Sequence, residues 1–459
     1  MSSTLRRRAV APIALSILLA AAIGCSGQGV NPTPSSAPSS APSAVPASTA
    51  APSPSSLAST GLPDPSAIVG VSPTLAEIVR LRSAVAADPA DADALRDLGL
   101  ALVQRVRETA DPSLYAPALT AIDAALELQP DDARALVGRA GIELGKHEFA
   151  SALVTAREAI ALSPTLVAAH AAAVDALVEL GRYDEADEAA GAMLGLRVDL
   201  TTLARVSYLA ELRGRLPAAL AAMRQAAASP GLAPENSAYV AALLGNLLVY
   251  SGDPAAAAAA YEAGLDLVPD HAPSLAGQGR LAVGAGRLDE AIARFERAAA
   301  VVPLPEYIIA LGDAQSAAGR DADAARSFEL ARAEIQLFRA AGVIVDVDLA
   351  LFEADHGDPA AALRFATAAH DAAPTVRTSD AIGWAMHRLG RDKEAATHAA
   401  DALRLGSIDP LLRYHAGAIA AGLGDVTAAR RDLERALATD PGFSATGAAE
   451  VRRLLDGLG

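Results

Sequence analysis

The chain has one cysteine in 459 residues. A lone thiol excludes an intramolecular disulfide and any cysteine-based zinc cluster, so no sulfur cross-link holds the fold together. Aromatic residues are scarce as well, at 3 % with a single tryptophan, although hydrophobic residues reach 52 %. The apolar content is therefore mostly alanine and leucine, residues of tightly packed helices, while valine and isoleucine are too scattered to build a large sheet. Only two of the 38 basic residues are lysine. Lys146 precedes His and Lys393 precedes Glu, so no phosphate-cradling GxxxxGKS/T loop exists. The GxSxG turn of serine hydrolases is also missing.

Charge is heavily one-sided. The formal net charge is −16, and removing Arg6, Arg7 and Arg8, the only charged residues before Cys25, leaves 35 basic against 54 acidic residues, or −19. Such a surface repels phosphate backbones, and nucleic acid is not an expected partner.

The first 24 residues hold three arginines, then the apolar run from Val10 to Ile23 broken by Pro12 and Ser16, then small residues. That is the layout of a bacterial secretory signal peptide, with an apolar core too short for a comfortable permanent span. Its end, Ala22-Ile23-Gly24-Cys25, resembles the lipobox of bacterial lipoproteins. The resemblance implies that the Cys25 thiol is acylated, the peptide is cut before it, and the new terminus is tethered to a membrane on its extracytoplasmic face. Ala22 departs from the leucine more common there; the alternative is an ordinary signal peptide with a coincidental cysteine. Residues 25–73 are rich in Ser, Pro, Ala and Thr with almost no charge, a composition that cannot bury enough apolar surface to offset the entropy of ordering. They read as a disordered stalk, and their Ser/Thr with Pro permits O-glycosylation.

Beyond the stalk the chain repeats. The segment from Gly286, GRLDEAIARFERAAAVVP, recurs in altered form from Gly181, Gly214, Gly252, Gly319, Gly357, Gly390 and Gly424, at steps of 33 to 38 residues. Five residues after each glycine stands an alanine (Ala186, Ala219, Ala257, Ala291, Ala324, Ala362, Ala395, Ala429). A larger apolar residue follows in several units (Tyr261, Phe295, Phe328, Leu433), and a proline ends many of them (Pro269, Pro303, Pro374, Pro441). Seven residues before most of the glycines lies another small residue, such as Gly245, Gly279, Gly312, Gly383 or Gly417. Small residues at fixed places let two antiparallel helices approach, and the larger one fills the gap between hairpins. This period and pattern resemble the tetratricopeptide repeat. The resemblance implies an all-α solenoid over residues 74–459, a right-handed superhelix of about ten hairpins. The units fall at about 91–130, 131–164, 165–198, 199–232, 238–271, 272–304, 305–338, 343–375, 376–409 and 410–443, with a capping helix at 444–459.

Catalytic motifs do not survive inspection. His147-Glu148 opens like the zinc-protease helix motif, but Ser151 stands where the second histidine belongs. Gly277-Gln-Gly279-Arg-Leu-Ala282 fits a dinucleotide fingerprint only nominally, because the glycines lie inside a repeat helix rather than after a strand. His387, His398 and His415 occupy different helical positions in adjacent repeats, where packing or surface roles outweigh a metal site. The expectation is a non-enzyme with no cofactor and no metal.

In tetratricopeptide proteins the first helix of each hairpin lines a concave groove, which implies that ligands lie there. Most residues at those positions are Ala, Gly, Val or Leu. The exceptions are Tyr208, Tyr239, Asn246, Tyr250, Arg280, Asp313, Asp380, Trp384, His387, Arg388 and Tyr414, and aromatics and arginine are the types enriched in binding hot spots. Each ring has the alternative of packing between neighbouring first helices. A carboxylate clamp, as in the family's chaperone-binding members, needs several Lys, Arg and Asn together; Asn246 and Arg280 alone do not make one. The reading is thus a lipid-anchored extracytoplasmic scaffold of the bacterial envelope with a protein or peptide partner. The alternative is a non-catalytic accessory subunit that binds a small molecule or glycan, for which a closed pocket around Trp384, His387 and Tyr414 is the discriminating feature. Self-association as a purely structural element is a third.

Overall fold

A computed structural model describes residues 72–458 other than 230 and 232. The signal peptide, Cys25 and nearly all of the stalk lie outside the described residues. Within them every long element is a helix. A lone helix, α1 (Pro73–Ala87), precedes ten hairpins. The first five pair α2 (Ala92–Thr109) with α3 (Tyr115–Leu128), α4 (Ala133–Gly145) with α5 (Phe149–Leu162), α6 (Val167–Glu179) with α7 (Tyr183–Leu196), α8 (Leu200–Leu212) with α9 (Leu216–Ala227), and α10 (Pro234–Tyr250) with α11 (Pro254–Leu267). The second five pair α12 (Ala272–Gly284) with α13 (Leu288–Val301), α14 (Pro305–Ala317) with α15 (Asp321–Ala340), α16 (Asp346–His356) with α17 (Pro359–Ala372), α18 (Val376–Arg388) with α19 (Asp392–Ala402), and α20 (Pro410–Gly422) with α21 (Val426–Thr439). A final helix, α22 (Ala445–Gly457), ends the chain.

Local chemistry places the helix ends. Asp91, Asp132, Asp199, Asp253, Asp409 and Asp425 each accept a backbone N–H of the first turn they precede. Second helices stop where proline comes next. Val268, Val302, Ala373 and Asp440 all lie in the extended region, with ψ between 100° and 103°, because a following proline ring crowds the helical conformation. Within most hairpins the turn passes through a left-handed glycine, as at Gly286 (φ 72°). The hairpin of α4 and α5 has no such glycine, and His147 takes the left-handed position at φ 62°. The glycine at the α16–α17 turn serves otherwise. Gly357 has φ −136°, and a Cβ there would stand 1.8 Å from Glu353 Oε2.

The eight alanines after the turns are between 0 and 3 % exposed, because they sit where two helices touch. Large residues of the second helices press on glycines of the first ones. A Cβ on Gly279 would lie 2.7 Å from the Phe295 ring, one on Gly245 2.3 Å from Tyr261, and one on Gly312 2.4 Å from Phe328.

Successive turns of the superhelix also touch. The α4–α5 turn meets the α15–α16 loop, where Ile344 N–H donates to the Lys146 carbonyl at 3.1 Å and His147 Nδ1 lies 2.5 Å from the Ile344 carbonyl. The α6–α7 turn meets the α17–α18 loop, where Val376 N–H donates to the Tyr183 hydroxyl at 3.1 Å. The α8–α9 turn meets the α19–α20 loop, so close that a Cβ on Gly214 would be 2.2 Å from the Gly406 carbonyl oxygen. Each seam joins points eleven helices apart, so the array returns on itself after five and a half hairpins. Finally α22 leaves the stack and packs on α14 as well as on α20 and α21. The expected open concave groove is therefore closed along much of its length, because glycines at the turns let backbone meet backbone.

Replacing Gly214 by alanine should separate the two parts of its role. Gly286→Ala tests the left-handed conformation alone, since no atom lies within 4 Å of its added Cβ; about 1 kcal/mol of stability should go. Gly214→Ala adds the collision at the seam and should cost roughly 2–4 kcal/mol in urea unfolding. Equal losses in the two variants would mean that the seam contributes nothing.

Candidate functional site

Among the described residues, two chambers lie where the superhelix closes. The larger has a cavity volume of about 150 Å³ and lies between α4, α6 and α8 on one side and α16, α17 and α18 on the other. Arg205 crosses its wall, buried and fixed by two contacts to Asp175 at 2.8 and 2.5 Å and by the Thr201 carbonyl at 3.0 Å. Opposite stand Arg377 and Asp348, 3.9 Å apart. Tyr208 and Glu179 belong to the same lining. Burial pushes the Glu179 carboxyl up to about 7, although Arg377 pulls it down.

The smaller chamber, about 80 Å³, is walled by α10, α12 and α14 and closed by the starts of α20 and α22. Arg280 stands at its wall and donates from Nη2 to Asn246 Oδ1, which also accepts the Tyr261 hydroxyl at 2.8 Å. Burial works against the Arg280 charge, but Tyr261, Asp440 and Tyr250 hold the guanidinium above its ordinary range. Around it are Glu306, Asp313, Asp409 and Asp440. Burial raises all four, Glu306 to about 8, where Asp348 adds to the rise. Glu211 is likewise pushed up to about 7, chiefly by burial and then by Asp409.

The residues expected in the groove divide into two sets. Tyr208 lines the larger chamber, and Asn246, Tyr250, Arg280 and Asp313 line the smaller one. Tyr239 is half-buried on α10 and belongs to neither lining; burial raises its hydroxyl, and Arg107 and Glu306 are among its charged neighbours. The other five are displaced from the expected position. Trp384 and Tyr414 are 1 and 0 % exposed, locked in the core between α16, α18 and α20. The indole N–H donates to Asp355 at 2.8 Å, and its ring stacks on His415 with centroids 4.0 Å apart. Asp380 holds His415 Nδ1 at 2.8 Å, His387 contacts Asp392 at 2.5 Å, and Arg388 donates to the Ala354 carbonyl at 3.0 Å. Where neighbouring first helices offer mainly alanine and glycine, a large ring is drawn between them rather than out into the lumen. Neither chamber has Trp384 in its lining.

Sequence reasoning passed over Glu179, Arg205, Glu211, Glu306, Arg377, Asp409 and Asp440. A signal existed for two of them. Glu179 ends α6 and Glu211 lies one residue before the end of α8, where the helix dipole disfavours an anion. Asp409 and Asp440 read only as residues at helix ends. Among the described residues no group of three or more His, Cys, Asp or Glu is placed to hold a metal ion, and no helix is long and apolar enough to cross a membrane.

A family comparison matches the tetratricopeptide repeat at residues 113–166 and 243–303. These two segments carry the tetratricopeptide repeat, and helical hairpins of the same kind continue throughout the described residues. Similar solved structures include YrrB, described as a tetratricopeptide protein with an unusual peptide-binding site, at 18 % identity over 40 % of this chain and 92 % of that one (TM-score 0.28). A human IFIT1 dimer with PPP-AAAA is 15 % identical over 69 % of this chain and 73 % of that one (0.45). MamA is 20 % identical over 35 % of this chain and 91 % of that one (0.28). No curated protein matches.

Burial of Glu306 has a pH signature. Its folded value of about 8 exceeds the ordinary 4.5, so between these values the unfolded chain releases a proton that the folded chain keeps. Stability from this group is therefore intact below about pH 4.5 and falls as pH rises towards 8. Glu306→Gln should raise the melting temperature at pH 8 and change it little at pH 4.5. A shift of the same size at both pH values would show that Glu306 titrates normally.

Proposed function

We propose that the protein is a non-catalytic interaction scaffold of the bacterial envelope, held by lipid on Cys25 at an extracytoplasmic membrane face, whose interior receives a short segment of a partner protein. One observation carries the binding part: the first helices aim tyrosine, arginine and carboxyl groups into two chambers instead of burying only alanine and leucine there. Such convergent polar groups in a mostly apolar recess are the usual form of a recognition site. The chambers fit a few side chains at a time, so the partner engages by a short segment rather than a long extended peptide. The same closure supports a second reading, in which the occupant is a small molecule and the scaffold is an accessory subunit of an envelope enzyme or transport system. Anchoring is supported by Ala22-Ile23-Gly24-Cys25 after an apolar run. Lipid chains contribute about 0.8 kcal/mol per buried CH2, enough for stable attachment when several are present.

Two measurements check this. A Cys25→Ser chain expressed in a bacterium should leave the membrane fraction; retention there would overturn the anchor. A photo-crosslinking residue placed at Tyr250 should form partner adducts in cells that the same group at the exposed Leu423 does not. Adducts from Leu423 alone would put the binding face on the outside.

A further inference from the structure

The smaller chamber holds more carboxyl groups than cations, and two of them have buried oxygens without a hydrogen-bond partner. Asp313 is 1 % exposed, yet neither of its oxygens accepts a hydrogen bond. The nearest basic nitrogen, His356 Nε2, is 3.5 Å away, too far for a good hydrogen bond, and belongs to an imidazole that burial pushes down to about 3 and so keeps neutral. The Glu306 carboxyl is met by the Tyr307 hydroxyl, but its Oε1 is closed off from solvent without a donor. A buried acceptor left unmade is costly, and more so when charged, so two such groups facing one cavity call for donors from outside the chain.

The sign of the missing group follows from the rest of the lining. Asp409 and Asp440 accept backbone N–H groups of Leu411 and Gly442, each at 2.8 Å, and still add negative potential. The one cation in this lining, Arg280, already donates to Asn246, and Arg377 of the larger chamber acts on Glu306 and Asp409 only from further off. An anion entering here would face four carboxyl groups for a single guanidinium. A metal ion is disfavoured because no three ligating side chains converge among the described residues. Size narrows the choice further. A cavity of about 80 Å³ holds roughly six water-sized groups, the bulk of one head group and part of its stem.

Resting on the reading that the interior receives a ligand, we propose that the smaller chamber binds the head of an organic cation, an ammonium or guanidinium group, through Glu306 and Asp313. This head belongs either to a lysine or arginine side chain of the partner or to a free amine; the chemistry is the same. Its N–H groups supply donors to both Asp313 oxygens and to Glu306 Oε1, and its positive charge favours the ionised form of carboxyl groups that burial holds protonated. The Arg280–Asn246 pair forms the opposite wall and turns away carboxylate-rich competitors only by being outnumbered, so selectivity rests on the acids.

The test uses the purified full-length protein and calorimetric titration at pH 8 with n-butylammonium, n-butylguanidinium and n-butyrate. Saturable binding of at least one cation and none of butyrate is expected. Glu306→Gln and Asp313→Asn should each weaken it about tenfold, the worth of one charge-assisted hydrogen bond. Glu296→Gln, the same change on an exposed face of α13, should leave it unaltered. A doubly blocked Gly-Gly-Lys-Gly-Gly peptide that binds more tightly than butylammonium, and loses that gain on Nε-acetylation, identifies a side chain as the source; equal affinity identifies a free amine. No cation binding to the unmodified protein, undiminished binding to both chamber variants, or preference for butyrate would overturn the proposal. If crosslinks from Tyr250 persist while the cations fail, only the charge assignment falls and the interior site stands.

Discussion

The structure depends on how closely two helices of a hairpin can approach. Phe295 over Gly279, Tyr261 over Gly245 and Phe328 over Gly312 bring a ring of one helix onto the bare backbone of the other. Buried alanines at the crossing points allow the same closeness. A side chain on any of these glycines would push the helices apart, and because each hairpin stacks on the next, the error would propagate. The array also brings hairpins five and a half units apart into contact, and at the seams near Pro374 and Gly406 a turn glycine again lets backbone meet backbone.

Most of the fold was legible because its determinants are local and repeated. A turn glycine, an alanine five residues on, a ring after it and a proline at the end specify a hairpin without knowledge of the rest of the chain. The turn at His147 was legible as an exception, since the sequence shows HEFASAL where glycine belongs, and the chain there does adopt a left-handed non-glycine residue. The seams were not legible. Nothing around Lys146 refers to Ile344, because a backbone-to-backbone contact carries no side-chain signature.

The site was legible in part for the same reason. Tyr208, Asn246, Tyr250 and Arg280 face inward by helical phase, which the repeat register supplies. Trp384 and Tyr414 share that phase in principle, but phase cannot say whether a ring points into the lumen or between two first helices. Here Asp355 and His415 decide it by holding the indole inside. The acids at 409 and 440 become part of a chamber only through closure, and no local pattern contains closure. Their burial beside Glu306 and Asp313 works against stability, as isolated buried charges do. Four carboxyl groups in one recess, with Asp313 left without a hydrogen bond, are a local conflict of the kind that marks function rather than folding.

The seams also set an order of events in folding. A repeat array can ordinarily fold from any unit onward, since each hairpin needs only its neighbour. In this chain the turn at Lys146 stays without its partner until the chain around Ile344, 198 residues further on, has folded too. Until then the first half of the molecule is a folded but open spiral, with the lining of the larger chamber exposed on one side. Closure of the chambers is thus the last step of folding, and loss of the seams is the first step by which they reopen.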